Sequence, residues 1–326
     1  MIEEKKTNST TAEVAAALRA RPAFVMVSHV KPDGDTLGAG LALGLALKRL
    51  GKQVAYFQQD PVPRNLRFLP ESQHVSRDLP ANLPPDTLYV FCDMSDSARA
   101  GEFLPAVARE NVLDVDHPLG NAHFGALNYV LETECSTGTV VMHLLRELKV
   151  PIDRDIATCI LATIMTDTGG FMHSNATPDA LELSAELMRL GADKEEITEQ
   201  IFLRRRVAAT KLLGRIIASM VFAHDGRYCY SHVDDAMLAQ TGADGEDTED
   251  MVNTLRGQDG VEVAALFKAI DGEIRVSLRS SGRVNVQAAA QRLGGGGHFR
   301  ASGLTYRGSL AEAFGAVDAA LVAEGL

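Results

Sequence analysis

No apolar run in this sequence approaches the roughly 18 residues that a membrane-spanning helix needs. The opening segment, Met1 to Thr11, is polar and charged and lacks the apolar stretch of a secretory signal. A cytoplasmic protein without a membrane partner is the expectation. Cysteine is scarce. Cys92, Cys135, Cys159 and Cys229 are widely spaced and form no C-x-x-C pair. Cys92 and Cys159 lie in apolar runs, so buried thiols in a reducing compartment are expected, not disulfides or a zinc site. Basic charge is also short: 32 Lys and Arg face 43 Asp and Glu, a net charge of −11. The basic field that long nucleic acid needs is therefore absent. A phosphate-bearing substrate remains compatible, because metals bound by clustered carboxylates invert the local sign. No internal repeat is present.

What is there describes an α/β protein. At 326 residues the chain has room for two domains, and 46% hydrophobic content excludes wholesale disorder. Strand-like runs at Ala23–Val27, Gln53–Phe57, Leu88–Cys92 and Val112–Val115 are interspersed with helical runs at Leu37–Leu50, Ser136–Leu148 and Ile156–Met165. This alternation predicts a largely parallel sheet flanked by helices over residues 1–190. A helical connector is expected over 191–222, with Arg204, Arg205 and Arg206 on a solvated face. Residues 223–326 predict a smaller mixed α/β domain, with turn signals at Asp225-Gly226 and Asp271-Gly272.

The first-domain strands end on chemistry. Ala23–Val27 runs into Ser28-His29-Val30-Lys31-Pro32-Asp33-Gly34-Asp35, and an apolar helix follows. Leu88–Cys92 ends at Asp93, and Val112–Val115 ends at Asp116-His117. Asp167 stands where an apolar helix breaks at Gly169-Gly170. In a parallel sheet the strand C-termini share one edge, where open α/β folds bind ligands. A single Asp after a strand is ordinarily a turn or cap residue. Four carboxylates gathered in one crevice repel one another, and divalent cations remove that cost. Six candidate ligands (His29, Asp33, Asp35, Asp93, His117 and Asp167) exceed what one catalytic zinc takes. They suit two octahedral cations, such as Mn²⁺, sharing a bridging carboxylate, with an acidified water as nucleophile.

These motifs resemble those of the DHH phosphoesterase superfamily: His29-x-x-x-Asp33-x-Asp35, Asp93-x-Ser95-Asp96, Asp116-His117 with Asn121, and Asp167-Thr168-Gly169. The run Gly294-Gly295-Gly296-Gly297-His298, with Arg279-Ser280 before it, resembles the DHH-associated substrate domain. The two-domain layout is most similar to nanoRNases that also act as pAp phosphatases. The resemblance implies that His29, Asp33 and Asp93 hold one Mn²⁺. It implies that Asp35, Asp93, His117 and Asp167 hold the other, with Asp93 bridging. Asp93, Asp116 and His117 would form the catalytic core, Asp116 orienting it from behind. Arg279, Ser280, Gly295, Gly296, Gly297 and His298 would bind substrate. The chain departs from the pattern at Pro118, where the family has a second histidine on the scissile phosphate. His123, nearby in sequence, is a candidate to compensate.

The glycine run reads as a loop whose N–H groups approach a phosphate or sugar, with a plain hinge as the alternative. No Lys-Ser/Thr follows it, so it is not a Walker loop. The expected activity is hydrolysis of short oligoribonucleotides (2–5 nt) and of 3′-phosphoadenosine 5′-phosphate. The expected partners are those short RNAs or small phosphorylated nucleotides, with a homodimer open. Cyclic or linear dinucleotides such as c-di-AMP and pApA are alternatives, as is a weakly active nucleotide-binding protein in view of Pro118.

Overall fold

The computed structural model describes residues 8–117 and 120–326. Pro118 lies outside the described residues. The chain divides into two compact units, one ending at Arg204 and the other spanning Arg205–Leu326.

The first unit alternates α1 (Thr11–Ala20), β1 (Ala23–Val27), α2 (Gly34–Arg49), β2 (Gln53–Phe57), β3 (Val75–Ser76), β4 (Leu88–Cys92), β5 (Val112–Asp116) and β6 (Leu127–Val130). Helices α3 (Thr137–Leu148), α4 (Arg154–Asp167), α5 (Pro178–Arg189) and α6 (Lys194–Ile197) follow, then a π-helical turn over Thr198–Leu203. The strands form a sheet of order β3-β2-β1-β4-β5-β6, and every pair is parallel. All five β1 residues are buried, as a central parallel strand covered on both faces requires. Chain direction across the sheet reverses at β1, which pairs with β2 on one side and β4 on the other. The crevice beyond those two C-termini is the topological switch point.

Helix α2 is buried from Gly34 to Leu47, so it is apolar all round instead of amphipathic. It packs on both α3 and α4. Glycine permits the close approach: a Cβ at Gly38 would lie 2.8 Å from the Cys159 carbonyl oxygen, and one at Gly138 only 1.9 Å from Thr163 Oγ1. These contacts bring the start of α3 and the end of α4 to the start of α2.

The second unit comprises α7 (Val207–Ala218), β7 (Val221–Ala223), β8 (Tyr228–Asp234), α8 (Asp235–Thr241), α9 (Met251–Arg256), β9 (Val263–Ile270), β10 (Glu273–Ser280), α10 (Val286–Arg292), β11 (Gly296–His298), β12 (Ala301–Tyr306) and α11 (Leu310–Val322). Its sheet, β11-β12-β10-β9-β8-β7, is mixed: β8 and β9 are parallel and the other pairs antiparallel. Asp271 and Gly272, both at positive φ, close the β9–β10 hairpin with a two-residue turn. Alternate β9 residues feed two cores, Val263, Ala265 and Phe267 on one face and Ala264 and Leu266 on the other.

The stretch 191–222, expected as a connector, is divided. Its first part packs in the first unit through buried Ile197, while α7 buries Ala209, Leu212 and Ile216 in the second. An apolar stripe every three to four residues gave α7 a core to join. The four cysteines are free and buried. Among the described residues, no helix is long and apolar enough to cross a membrane.

Candidate metal centre and substrate residues

His29 lies two residues past the end of β1, after Ser28. Its N–H donates to Thr36 Oγ1 (3.3 Å), and that hydroxyl donates to the Cys92 carbonyl (2.7 Å), tying the end of β1 to the end of β4. Asp33 is the N-cap of α2. Its Oδ1 accepts the N–H groups of Asp35 and Thr36, while Oδ2 lies 3.7 Å from His29 Nε2. Capping thus commits one oxygen and aims the other into the crevice.

Asp35 is held by the N-terminus of α3. The Thr137 N–H donates to Oδ2 (2.8 Å) and the Gly138 N–H to Oδ1 (3.2 Å). Ser136 caps that helix through the Thr139 N–H, leaving the first two N–H groups for this carboxylate. Asp93 follows β4 in the left-handed region (φ 58°), with its N–H donating to the Val115 carbonyl. For a non-glycine residue that conformation costs about 1–3 kcal/mol, and it turns the side chain into the crevice. Asp93 Oδ2 lies 3.3 Å from His29 Nε2, and Oδ1 lies 3.8 Å from His117 Nε2.

Asp116, wholly buried at the end of β5, accepts the His117 N–H (2.9 Å) and the Asn121 amide (2.6 Å). His117 Nε2 faces Asp35 Oδ2 at 3.5 Å and Asp167 Oδ2 at 3.8 Å. Asp167, the last residue of α4, accepts the Asn175 amide at 3.1 Å. His123 Nδ1 contacts the Asn121 carbonyl (3.0 Å), and His123 is in neither ligand cluster.

The side chains sort into two clusters, His29 with Asp33 and Asp93, and Asp35 with His117 and Asp167; each offers donor atoms within 4.8 Å of one another. In both histidines Nδ1 sits against a backbone carbonyl, Val30 O at 2.9 Å and Glu134 O at 3.2 Å. The protonated nitrogen is thereby fixed and Nε2 is left as the donor, the arrangement usual behind metal-bound histidine. His29 Nε2 is buried without a hydrogen-bond partner. That orphaned atom and the hard oxygen set fit divalent cations, so these acidic clusters can bind metal.

Electrostatics give the same picture. Burial alone would lower the His29 imidazole, but Asp33 and Asp93 outweigh it and raise it to about 9. Burial, then Asp93, Asp167 and Asp33, push Asp35 well above the usual carboxylate range, against the Thr137 N–H. Burial raises Asp167 to about 7; His117 opposes this and Asp93 and Asp33 add to it. Without cations, protons must fill part of this crevice.

In the second unit, β10, β12 and β11 bring the candidate substrate residues together. Arg279, Ala301 and His298 form one row across the three strands, and Ser280 follows Arg279. Burial lowers the Arg279 guanidinium, against Asp250 and Glu249. The glycine run is not the open loop expected. Gly294, at φ 77°, and Gly295 donate back to Gln291 and Ala290, ending α10 in a Schellman-type cap. A Cβ at Gly295 would lie 2.3 Å from Gly303 O. Gly296–His298 is an edge strand on β12, with Gly297 at φ 135°. Close packing inside the domain therefore explains Gly295 and Gly297, and the positive φ of the cap explains Gly294.

Residues 23–164 match the DHH family, N-terminal domain, and residues 225–323 match the DHHA1 domain. The chain is 35% identical, over 91% of its length and 87% of the relative's, to the bifunctional oligoribonuclease and PAP phosphatase NrnA of Thermus thermophilus. The chain belongs to the DHH family. It is 25% identical to NrnA of Bacillus subtilis over 86% of this chain and 88% of that one. It is also 25% identical to the cyclic-di-AMP phosphodiesterase PdeA of Listeria monocytogenes, covering 90% of this chain but 47% of that protein. Among solved structures, an exopolyphosphatase-related protein from Bacteroides fragilis superimposes with a TM-score of 0.87 at 23% identity, over 96% of this chain and 95% of that one. RecJ of Thermus thermophilus in complex with Mn²⁺ gives 0.52 at 16% identity, over 96% of this chain and 54% of that one. This DHH chain shares their fold.

The sequence missed three supports of the centre: the Thr137 and Gly138 N–H groups, and Asn175. The Ser136 cap was a legible helix start, yet nothing local linked it to Asp35.

Proposed function

We propose that this DHH protein hydrolyses phosphoester bonds in short oligoribonucleotides and in 3′-phosphoadenosine 5′-phosphate, using two divalent cations, Mn²⁺ first among them. One observation carries this reading. The two oxygens of Asp93 face opposite imidazoles, at 3.3 Å and 3.8 Å, so one carboxylate could serve both clusters. A protein that only binds nucleotides needs no such shared ligand. The similarity to NrnA over nearly the full length of both chains supports the substrate class. The cyclic-dinucleotide relative PdeA supports that alternative less, because this chain covers under half of it.

In this reading His29, Asp33 and Asp93 hold one cation, and Asp35, Asp93, His117 and Asp167 hold the other. Bound there, the pair supplies Lewis-acid charge on the phosphoryl oxygens and lowers the pKa of water at the site. The protein's part is positional. Val30 O and Glu134 O hold the imidazoles with Nε2 inward, α3 holds Asp35, Asn175 holds Asp167, and Asp116 holds the His117 backbone. Arg279, Ser280, Gly295, Gly296, Gly297 and His298 bind the substrate's phosphate and sugar in the second domain.

The test is turnover by metal-stripped protein resupplied with Mn²⁺, Mg²⁺ or Co²⁺. The substrates are an RNA dinucleotide, a 24-nucleotide RNA, 3′-phosphoadenosine 5′-phosphate and c-di-AMP. Metal-dependent cleavage favouring the dinucleotide and the bisphosphate is expected. Equal cleavage of long RNA, or tight binding with no turnover, would refute the reading.

A further inference from the structure

We propose that Phe299 is a nucleobase-stacking residue that gives the second domain a base subsite beside the Arg279–His298 row. The inference rests on the nucleotide reading above and adds a recognition element that the phosphate- and sugar-binding residues do not supply.

His298 pairs directly with Ala301, so Phe299 and Arg300 are the two central residues of the β11–β12 turn. The carbonyls of such a turn ordinarily face water. Here the Val286 N–H donates to Phe299 O (3.1 Å) and the Ser280 N–H donates to Arg300 O (2.9 Å). The turn is pinned to the start of α10 on one side and to the end of β10 on the other. Its backbone is fixed, yet Phe299 is 46% exposed and meets no aromatic partner among the described residues.

The surroundings name the ligand chemistry. Phe299 stands between His298 and Arg300, both exposed, and Arg300 lies over Gly282. Directly paired residues of adjacent strands project from the same face, so Arg279, Ala301 and His298 present two nitrogenous side chains across one small one. That row can take a phosphate, and the exposed phenyl ring of the turn that follows His298 can take a flat, uncharged ring. A rigid aromatic loses little entropy on stacking, and every base offers a π-face. A nucleotide combines both features; an acidic peptide or free phosphate would leave the phenyl ring unused.

The test uses full-length, Mn²⁺-loaded protein and calorimetric titration of AMP and ribose 5-phosphate, which share a sugar and phosphate and differ in the base. Wild-type protein is expected to bind AMP more tightly than ribose 5-phosphate. Phe299→Ala should weaken AMP by about 5- to 100-fold and leave ribose 5-phosphate within about twofold. Phe299→Tyr should restore AMP binding. An equal loss for both ligands, no loss for either, or no wild-type preference for AMP would overturn the stacking role. If wild-type protein still cleaves the RNA dinucleotide, that result removes the subsite and leaves the proposed function standing. If wild-type protein cleaves no nucleotide at all, the proposed function fails on its own.

Discussion

The Asp93 carboxylate reaches both histidines of the candidate centre, His29 through Oδ2 at 3.3 Å and His117 through Oδ1 at 3.8 Å. No other carboxylate in the crevice is in both relationships among the described residues. Asp33 meets only His29, and Asp35 and Asp167 meet only His117. Replacing Asp93 should therefore hurt both candidate cation sites at once.

Proton and metal should compete for His29. Its folded-state pKa, about 9, lies above the ordinary 6.5, so the protonated ring stabilises the metal-free fold. That contribution is fully present below about pH 6.5 and is lost as the pH rises through about 9. Metal requires the neutral ring and must displace the proton. Calorimetry in buffers of different ionisation heat should show proton release at pH 7.5. Affinity should climb between pH 6 and 9 by up to about tenfold per unit. His29→Gln should flatten that climb.

Asp167→Asn should stabilise the metal-free protein while impairing metal binding. The folded-state value of Asp167, about 7, is raised above the ordinary 3.8, so its charged form is penalised in the fold. The penalty grows as the pH rises from about 4 and is complete above about 7. Thermal unfolding in chelator at pH 8 should show the variant melting a few degrees higher. The advantage should shrink toward pH 4 and vanish below it, where the carboxyl is protonated in both states.

The ends of the strands were the legible part of this site. His29, Asp33 and Asp35 declare themselves because a buried strand, an N-cap and a first helical turn are local patterns. Asp93 and Asp116-His117 close apolar runs in the same way. The donors to Asp35 could not be read, because Thr137 and Gly138 lie 102 and 103 residues further along the chain. They arrive only through packing of α2 on α3 and α4. β6 escaped notice because Leu127–Val130 is four residues long and includes Asn128, whose side chain exchanges hydrogen bonds with Gly125. The conformation of the glycine run could not be read, because a helix cap and an edge strand demand the same residue that an open phosphate loop does.

Gly138→Ala tests that packing. Its Cβ would fall 1.9 Å from Thr163 Oγ1, so α3 and α4 must shift apart or Thr163 must give way. Overpacking of this kind costs about 1–3 kcal/mol, a fall in Tm of roughly 2–10 °C. Adding Thr163→Ala should recover part of the Tm. A single variant as stable as wild type would contradict the tight approach.

Asn121→Ala should weaken the centre without touching a candidate ligand. The Asn121 amide donates to Asp116 Oδ2 (2.6 Å) and to the Met94 carbonyl (3.2 Å), joining the loops after β4 and β5. Loss of such a supporting contact lowers metal affinity or activity by about 10- to 100-fold. Metal titration and steady-state kinetics on one preparation would separate the two effects.

The shared carboxylate is tested most directly by electron paramagnetic resonance of the protein titrated with Mn²⁺. At two equivalents the account predicts the multiline spectrum of two exchange-coupled ions, and its loss in Asp93→Asn. Two independent six-line Mn²⁺ signals in the wild-type protein, or saturation at one equivalent, would contradict it.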